Sequence, residues 1–201
     1  MLVWERMESK TYVFFGIVGA GKGTQIELLK KHLQEKDPNR PIVYAYPGAE
    51  YRKLVSSENY TGGLTKGKLD RGELQPDSLT ITMFMNVLIN GMTSDCHVIA
   101  DGYPRTIVQT EAFYEAMQFY KRDKVEIVVI DVSKEEVIKR MKLRGRTDDT
   151  DEGINRRFWE FENNVIPALE ALKQKGYKVS KVNGEQTVEQ VFEELKKTLE
   201  L

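Results

Sequence analysis

Between Thr11 and Gln25 an apolar run, Thr-Tyr-Val-Phe-Phe, gives way to Gly16-Ile17-Val18-Gly19-Ala20-Gly21-Lys22-Gly23-Thr24-Gln25. Gly16 and Gly21-Lys22 keep the spacing G-x-x-x-x-G-K, and Thr24 stands one place beyond the strict pattern because Gly23 intervenes. A loop so rich in glycine can turn successive backbone N–H groups toward one point. A helix that starts directly after it aims its N-terminus at the same point, and the two together make a cradle for polyphosphate. Lys22 adds a mobile positive charge able to reach the outer phosphates. The other reading is an ordinary strand-to-helix turn with a surface lysine, which the flanking pattern disfavours.

A second cluster follows His97-Val98-Ile99-Ala100: Asp101-Gly102-Tyr103-Pro104-Arg105-Thr106. A carboxylate at the carboxyl end of a strand is placed either to orient water on a magnesium ion or to cap a turn. Gly102 permits close backbone approach, Pro104 stiffens the turn, and Arg105 presents a planar fork for phosphate. Thr106 reads as a helix N-cap. Gln109 either closes a capping box with it or offers its amide to the donor–acceptor edge of adenine. Val137–Gly145 reads as the end of a basic helix, a solvated face unless Asp148-Asp149 orient its arginines and Arg146.

These groups need a scaffold, and the chain supplies one. Strand signals recur at Tyr12–Ile17, Ile42–Tyr46, His97–Ala100, Val125–Asp131 and Tyr177–Val182, with helical patterns between them. The first, third and fourth are nearly continuous apolar runs, which points to a parallel five-stranded α/β sheet with helices on both faces. Residues 48–91 depart from the alternation. Short helices are predicted at Glu50–Val55 and Lys66–Arg71, turn chemistry at Ser56–Gly63, and a longer helix opening at Pro76. From Asp151 onward, Ile154, Phe158, Phe161, Val165, Leu169 and Leu172 form one inward stripe, with Pro167 expected to kink the helix and Arg157 off the stripe. Val188, Val191, Phe192 and Leu195 seat a closing helix.

Lys plus Arg is 30 and Asp plus Glu is 31 among 201 residues, so no net field draws nucleic acid or an acidic membrane surface. Cys96 is the only cysteine, which excludes an internal disulfide and fits a reducing, cytoplasmic compartment. Residues 1–10 carry charges where a secretory apolar region would sit and read as a loose leader. His32 and His97 have no Cys or carboxylate cluster around them in sequence and read as structural, without zinc.

Gly19-Ala-Gly-Lys-Gly-Thr-Gln25, Asp101-Gly-Tyr-Pro-Arg-Thr106 with Gln109, and Arg146-Thr-Asp148-Asp149 with Arg157 together resemble the adenylate kinase family of nucleoside monophosphate kinases. The likeness runs from Tyr12 to the C-terminus, with the motifs in family order. It implies a P-loop NTPase-like fold in one domain over 1–201. The core would be 11–47, 92–143 and 150–201, the small helical acceptor-binding insertion about 48–91, and the lid about 144–149.

The resemblance further implies transfer of the ATP γ-phosphate to AMP with Mg2+, in a monomer with no nucleic-acid or membrane partner. By it, Gly19, Ala20, Gly21, Lys22, Gly23 and Thr24 hold ATP phosphates, Arg140 stacks on the ATP base and Arg144 also meets ATP. Arg52, Glu73, Leu74, Gln75, Gly102, Tyr103, Pro104, Arg105, Gln109, Arg146 and Arg157 meet AMP. Lys22, Arg105, Arg144, Arg146 and Arg157 surround the transferring phosphate, and Asp101 holds Mg2+ through water. Three departures stand out. Val18 replaces a usual proline, and Pro47-Gly48-Ala49 stands where the family carries Thr-Gly-Asp. Only Gly145 separates Arg144 from Arg146, which predicts a minimal lid. Tyr46-Pro-Gly48 before Arg52 is also similar to thymidylate kinases, so UMP, CMP or dTMP stays open as acceptor, as does a non-catalytic nucleotide-binding module.

Overall fold

The computed structural model describes residues 8–144 and 150–201, with the backbone alone of Arg144. The predicted lid residues Gly145, Arg146, Asp148 and Asp149, the side chain of Arg144, and leader residues 1–7 lie outside that description.

Strands β1 (Thr11–Phe15), β2 (Ile42–Ala45), β3 (His97–Asp101), β4 (Val125–Asp131) and β5 (Val179–Asn183) form one parallel sheet in the order β2-β3-β1-β4-β5. Every residue of β1 and β3 is buried, which explains their unbroken apolar sequence: both faces are covered. Alternation divides β1 between two cores. Val13 and Phe15 pack with Phe84, Leu88, Phe113 and Leu172 on one face. Tyr12 and Phe14 pack with Ile26, Leu29, Val137 and Leu195 on the other. The order changes direction about β1, so the carboxyl ends of β1 and β3 open the crevice where such sheets take ligands.

The helices are α1 (Lys22–Lys36), α2 (Pro47–Ser56), α3 (Tyr60–Asp70), α4 (Asp77–Gly91), α5 (Ile107–Phe119), α6 (Lys134–Arg144), α7 (Asp151–Glu160), α8 (Ile166–Gln174) and α9 (Val188–Leu199). No helix among the described residues is long and apolar enough to cross a membrane.

Three expectations need correction. The turn predicted for Ser56–Gly63 ends early, because Asn59 caps α3 by accepting a hydrogen bond from the Gly62 N–H at 2.8 Å. The glycines there serve packing rather than chain reversal: a Cβ at Gly62 would strike the Leu54 carbonyl of α2. The break expected at Pro167 lies one turn earlier, as a π turn over Phe161–Val165 between α7 and α8. Pro167 lacks an N–H and its ring crowds the carbonyl four residues back. The wider turn absorbs this, with the Ile166 N–H bonding the Phe161 carbonyl five residues away. The inward stripe holds through this change, with Ile154, Phe158, Val165, Leu169 and Leu172 buried. Val188 does not seat α9: it is exposed, and Val191, Leu195 and Leu199 do so instead.

His97 is structural and electrostatically costly. It is 1% exposed, its Nδ1 accepts the Lys10 N–H at 3.2 Å, and its ring lies 5.9 Å from Tyr12. Burial first, then the positive charge of Arg40, hold its pKa down to about 4 from 6.5; the Lys10 hydrogen bond opposes this, Arg122 adds a smaller lowering and Asp37 a small raising. In the window between those values the unfolded chain binds more protons than the folded one. Acidification from about pH 6.5 to 4 therefore removes stability, about 3 kcal/mol from this group, and below pH 4 no more is lost to it. Urea unfolding across that window should give a flatter pH slope in His97→Phe than in the parent protein. Equal slopes would place the effect elsewhere.

Candidate active site

The phosphate loop joins β1 to α1 with its glycines doing separate tasks. Gly19 has φ +95°, and a Cβ there would come within 2.9 Å of the Met141 side chain, so the loop can sit tightly on α6 only without a side chain. Gly21 is the N-cap of α1 and provides no side-chain acceptor. The first-turn amides and the positive end of the helix dipole are thereby left to a ligand. Lys22 folds back, its Nζ donating to the Gly16 carbonyl at 2.6 Å and the Ile17 carbonyl at 3.1 Å. The exposed Thr24 lies in the same first turn.

Asp101 ends β3 beside Phe14 of β1. It is buried, and one carboxylate oxygen accepts from the Tyr44 hydroxyl at 2.8 Å. Burial and the neighbouring Asp101 charge raise the Tyr44 pKa, so the phenol stays a donor that fixes the carboxylate. Sequence reading missed Tyr44. Its only signal was an outlying hydroxyl in a strand whose neighbour carries the acid.

A cavity of about 970 Å3 opens at this sheet end. It gathers Gly16 to Val18 from the loop with Arg52, Glu73, Leu74, Gln75, Gly102, Arg105, Gln109 and Arg157, residues separated by up to 141 positions in the chain. Arg52 packs 5.0 Å from the Tyr46 ring centroid and donates to its hydroxyl at 3.3 Å. Glu73 accepts from Arg71 at 2.7 Å and from Lys68 at 3.1 Å, and these two hydrogen bonds hold its carboxyl down to about 2. Gln75 donates to the Thr65 carbonyl at 3.1 Å. Arg105 Nε donates to the Gly102 carbonyl at 2.7 Å, which aims the guanidinium along the cavity wall.

Gln109 and Tyr103 differ from their simplest readings. Thr106 caps α5, its Oγ1 accepting the Gln109 N–H at 3.1 Å. The Gln109 side chain does not return the box. Its Oε1 accepts the Arg105 N–H at 2.8 Å and its Nε2 donates to Asp77 Oδ1 at 2.8 Å. The amide orientation is thus set from both ends, and one N–H and one lone pair are left for a ligand. Asp77, which also accepts from the Thr106 hydroxyl at 2.9 Å, was invisible beforehand because a first-turn acid on α4 reads as a dipole partner. Tyr103 does not face the cavity. Its ring stacks on Phe84 at 4.0 Å in the core, and Pro104 is likewise buried. Any contact from these two falls to the backbone.

Arg140 lies on the far side of the phosphate loop. Its Nε donates to Glu136 at 2.8 Å and its Nη2 to the Gly184 carbonyl at 2.9 Å, close to Gly21. Trp159 is nearly half exposed, beneath Arg156.

The chain also has relatives among known proteins. Residues 14–177 match the family model described as adenylate kinase. "Adenylate kinase" of Bacteroides fragilis is 33% identical over 193 residues, covering 94% of this chain and 97% of that protein. "Adenylate kinase 1" of Nostoc sp. is 30% identical over 187 residues, covering 93% and 97%. "Adenylate kinase" of Leptospira biflexa is 30% identical over 196 residues, covering 94% and 100%.

Proposed function

The chain belongs to the adenylate kinase family, and on that premise we propose that it moves the γ-phosphoryl group of ATP reversibly to AMP, giving two ADP. The observation that carries this reading is the cavity wall. Arg52, Arg105 and Arg157 stand around one space bounded by the phosphate loop on one side and the oriented Gln109 amide on another. Phosphoryl transfer asks for positioning and charge more than for a covalent partner, so no general base need be found.

In this reading the α1 amides and Lys22 hold the donor phosphates, and Arg140 lies beside the base. Glu73, Leu74 and Gln75 line the acceptor's base pocket, with Gln109 reading the base edge. Arg105 and Arg157, with Arg144 and Arg146 of the lid, neutralise the transferring group. Holding donor and acceptor in line lowers the barrier by about 7–11 kcal/mol in well-oriented systems.

The chemistry suits magnesium: a single fixed carboxylate, Asp101, fits an ion that keeps several waters and takes few protein oxygens. Asp101 would hold the ion through water, and the ion would supply positive charge against the phosphates. We read 1–201 as one domain with the helical insertion at about 48–91 and the lid at about 144–149, working as a cytoplasmic monomer. The near-zero net charge and the buried single cysteine support that setting.

One observation favours a second acceptor base. α2 starts at Pro47, and the Tyr46 ring fills the approach beside Gly48, where a Cβ would meet it at 2.6 Å. A hydroxyl and a carboxylate are replaced there by Pro47 and Ala49. An assay with ATP and Mg2+ against AMP, UMP, CMP and dTMP decides: AMP should give the highest kcat/KM, preference for another base would reassign the acceptor, and no transfer to any would leave a binding module.

The minimal lid adds an expectation of its own. A one-residue spacing between Arg144 and Arg146 excludes water poorly. ATP hydrolysis without acceptor should therefore be measurable beside the transfer rate, and a negligible rate would discard the idea.

A further inference from the structure

At the opposite end of the sheet, under the amino ends of β1, β3 and β4, lies a second cavity of about 290 Å3, one strand length or roughly 15 Å from the phosphate loop. α5 ends above it in a Schellman motif: the Arg122 N–H bonds the Met117 carbonyl at 2.8 Å and the Lys121 N–H bonds the Gln118 carbonyl at 3.0 Å. Two positions break the usual grammar of that motif. Its left-handed residue is commonly glycine, yet here it is Lys121 with φ +52°. The next position commonly makes an apolar contact, yet here it is Arg122, 6% exposed.

Arg122 is a buried cation with neutral partners only. It donates to Thr11 Oγ1 at 3.1 Å, Ser9 Oγ at 3.4 Å and the Cys96 carbonyl at 3.1 Å. Among the described residues no carboxylate lies within ion-pair distance of it. Two of the five guanidinium N–H groups remain unspent. Arg40, equally buried, stands nearby and already has Asp37 at 2.9 Å. Of the other charges on the wall, Lys124 pairs with Glu8, and Asp123 alone remains against Lys121 and Arg122. Burying a guanidinium without a counter-charge is costly, and a second cation beside it adds to the cost. An anion in the cavity would remove both penalties.

We propose that this cavity binds a small phosphate-type oxyanion, held by the free edge of the Arg122 guanidinium with Arg40 behind it and Lys121 at the rim. A guanidinium fork matches paired oxygens of such an anion, and the volume admits inorganic phosphate or pyrophosphate rather than a nucleotide. The site is separate from the transfer cavity and shares no residue with it.

His97 reports on it directly, since it feels both Arg40 and Arg122. The test is a titration of the full chain with inorganic phosphate at constant ionic strength, following the His97 ring proton by NMR, with His32 on α1 as control. A saturable His97 shift, absent with chloride and absent at His32, is expected. Arg122→Met should weaken the midpoint about tenfold or more. Lys121→Gly, which suits the left-handed backbone and so keeps the fold, should weaken it about threefold with transfer activity unchanged. No saturable shift in the parent protein, or an unchanged midpoint in Lys121→Gly, overturns the proposal, and the second arm decides even if Arg122→Met fails to fold.

Discussion

Arg105→Ala is expected to lower kcat/KM by about a thousandfold or more, the loss associated with a single transition-state arginine in phosphoryl transfer. The effect should be large because the side chain is already aimed. Its Nε is tied to the Gly102 carbonyl and its own N–H to Gln109, so the terminal nitrogens meet a phosphate without reorganisation. The cost to folding should be small, about 1 kcal/mol for one partly exposed hydrogen bond that water can replace. Arg105→Lys separates charge from geometry: a point charge without the fork should recover only part of the rate. Steady-state kinetics with ATP and AMP, together with thermal unfolding, check both. Near-normal turnover in Arg105→Ala would remove it from the reacting group.

Lys22→Ala should cost a comparable factor, and chiefly in kcat. The ammonium donates to the Gly16 and Ile17 carbonyls, which keeps it at the loop. Phosphates are stronger acceptors than amide carbonyls, so the lysine exchanges partners when the donor arrives and follows the charge as it moves outward. Its removal leaves the helix N-terminus and loop amides in place, so ATP should still bind, with affinity falling far less than turnover. Isothermal titration with ATP beside rate measurements tests that split. A loss confined to affinity, with kcat intact, would make Lys22 a ground-state anchor.

Much of this is legible in the sequence. Short apolar runs alternating with helical patterns read as strands covered on both sides, and β4 emerged at Val125–Asp131 as expected. Glycines at fixed spacing before a lysine leave few alternatives to a phosphate loop. The helices between β2 and β3 were harder. Asn59 and the two glycines after it look like a turn, and only the close passage of Gly62 against the Leu54 carbonyl shows why small residues sit inside a helix. Tyr103 carried the opposite trap: its place in a functional motif hid its role as a core ring stacked on Phe84.

The sequence by itself determined what depends on near neighbours in the chain: the period of each element, the spacing of glycines in the loop, the threonine cap before α5, the balance of charge. Tertiary structure alone decided which distant groups share a space. Gln109 turned from a cap partner into an oriented amide because Asp77, 32 residues away, holds its nitrogen. Tyr44 became the clamp on Asp101, and Arg122 became a buried cation without a counter-charge among the described residues. The reason is physical. Hydrogen-bond partners and burial are set by packing of elements remote in sequence, and no local pattern records which of a side chain's possible partners that packing will bring within 3 Å.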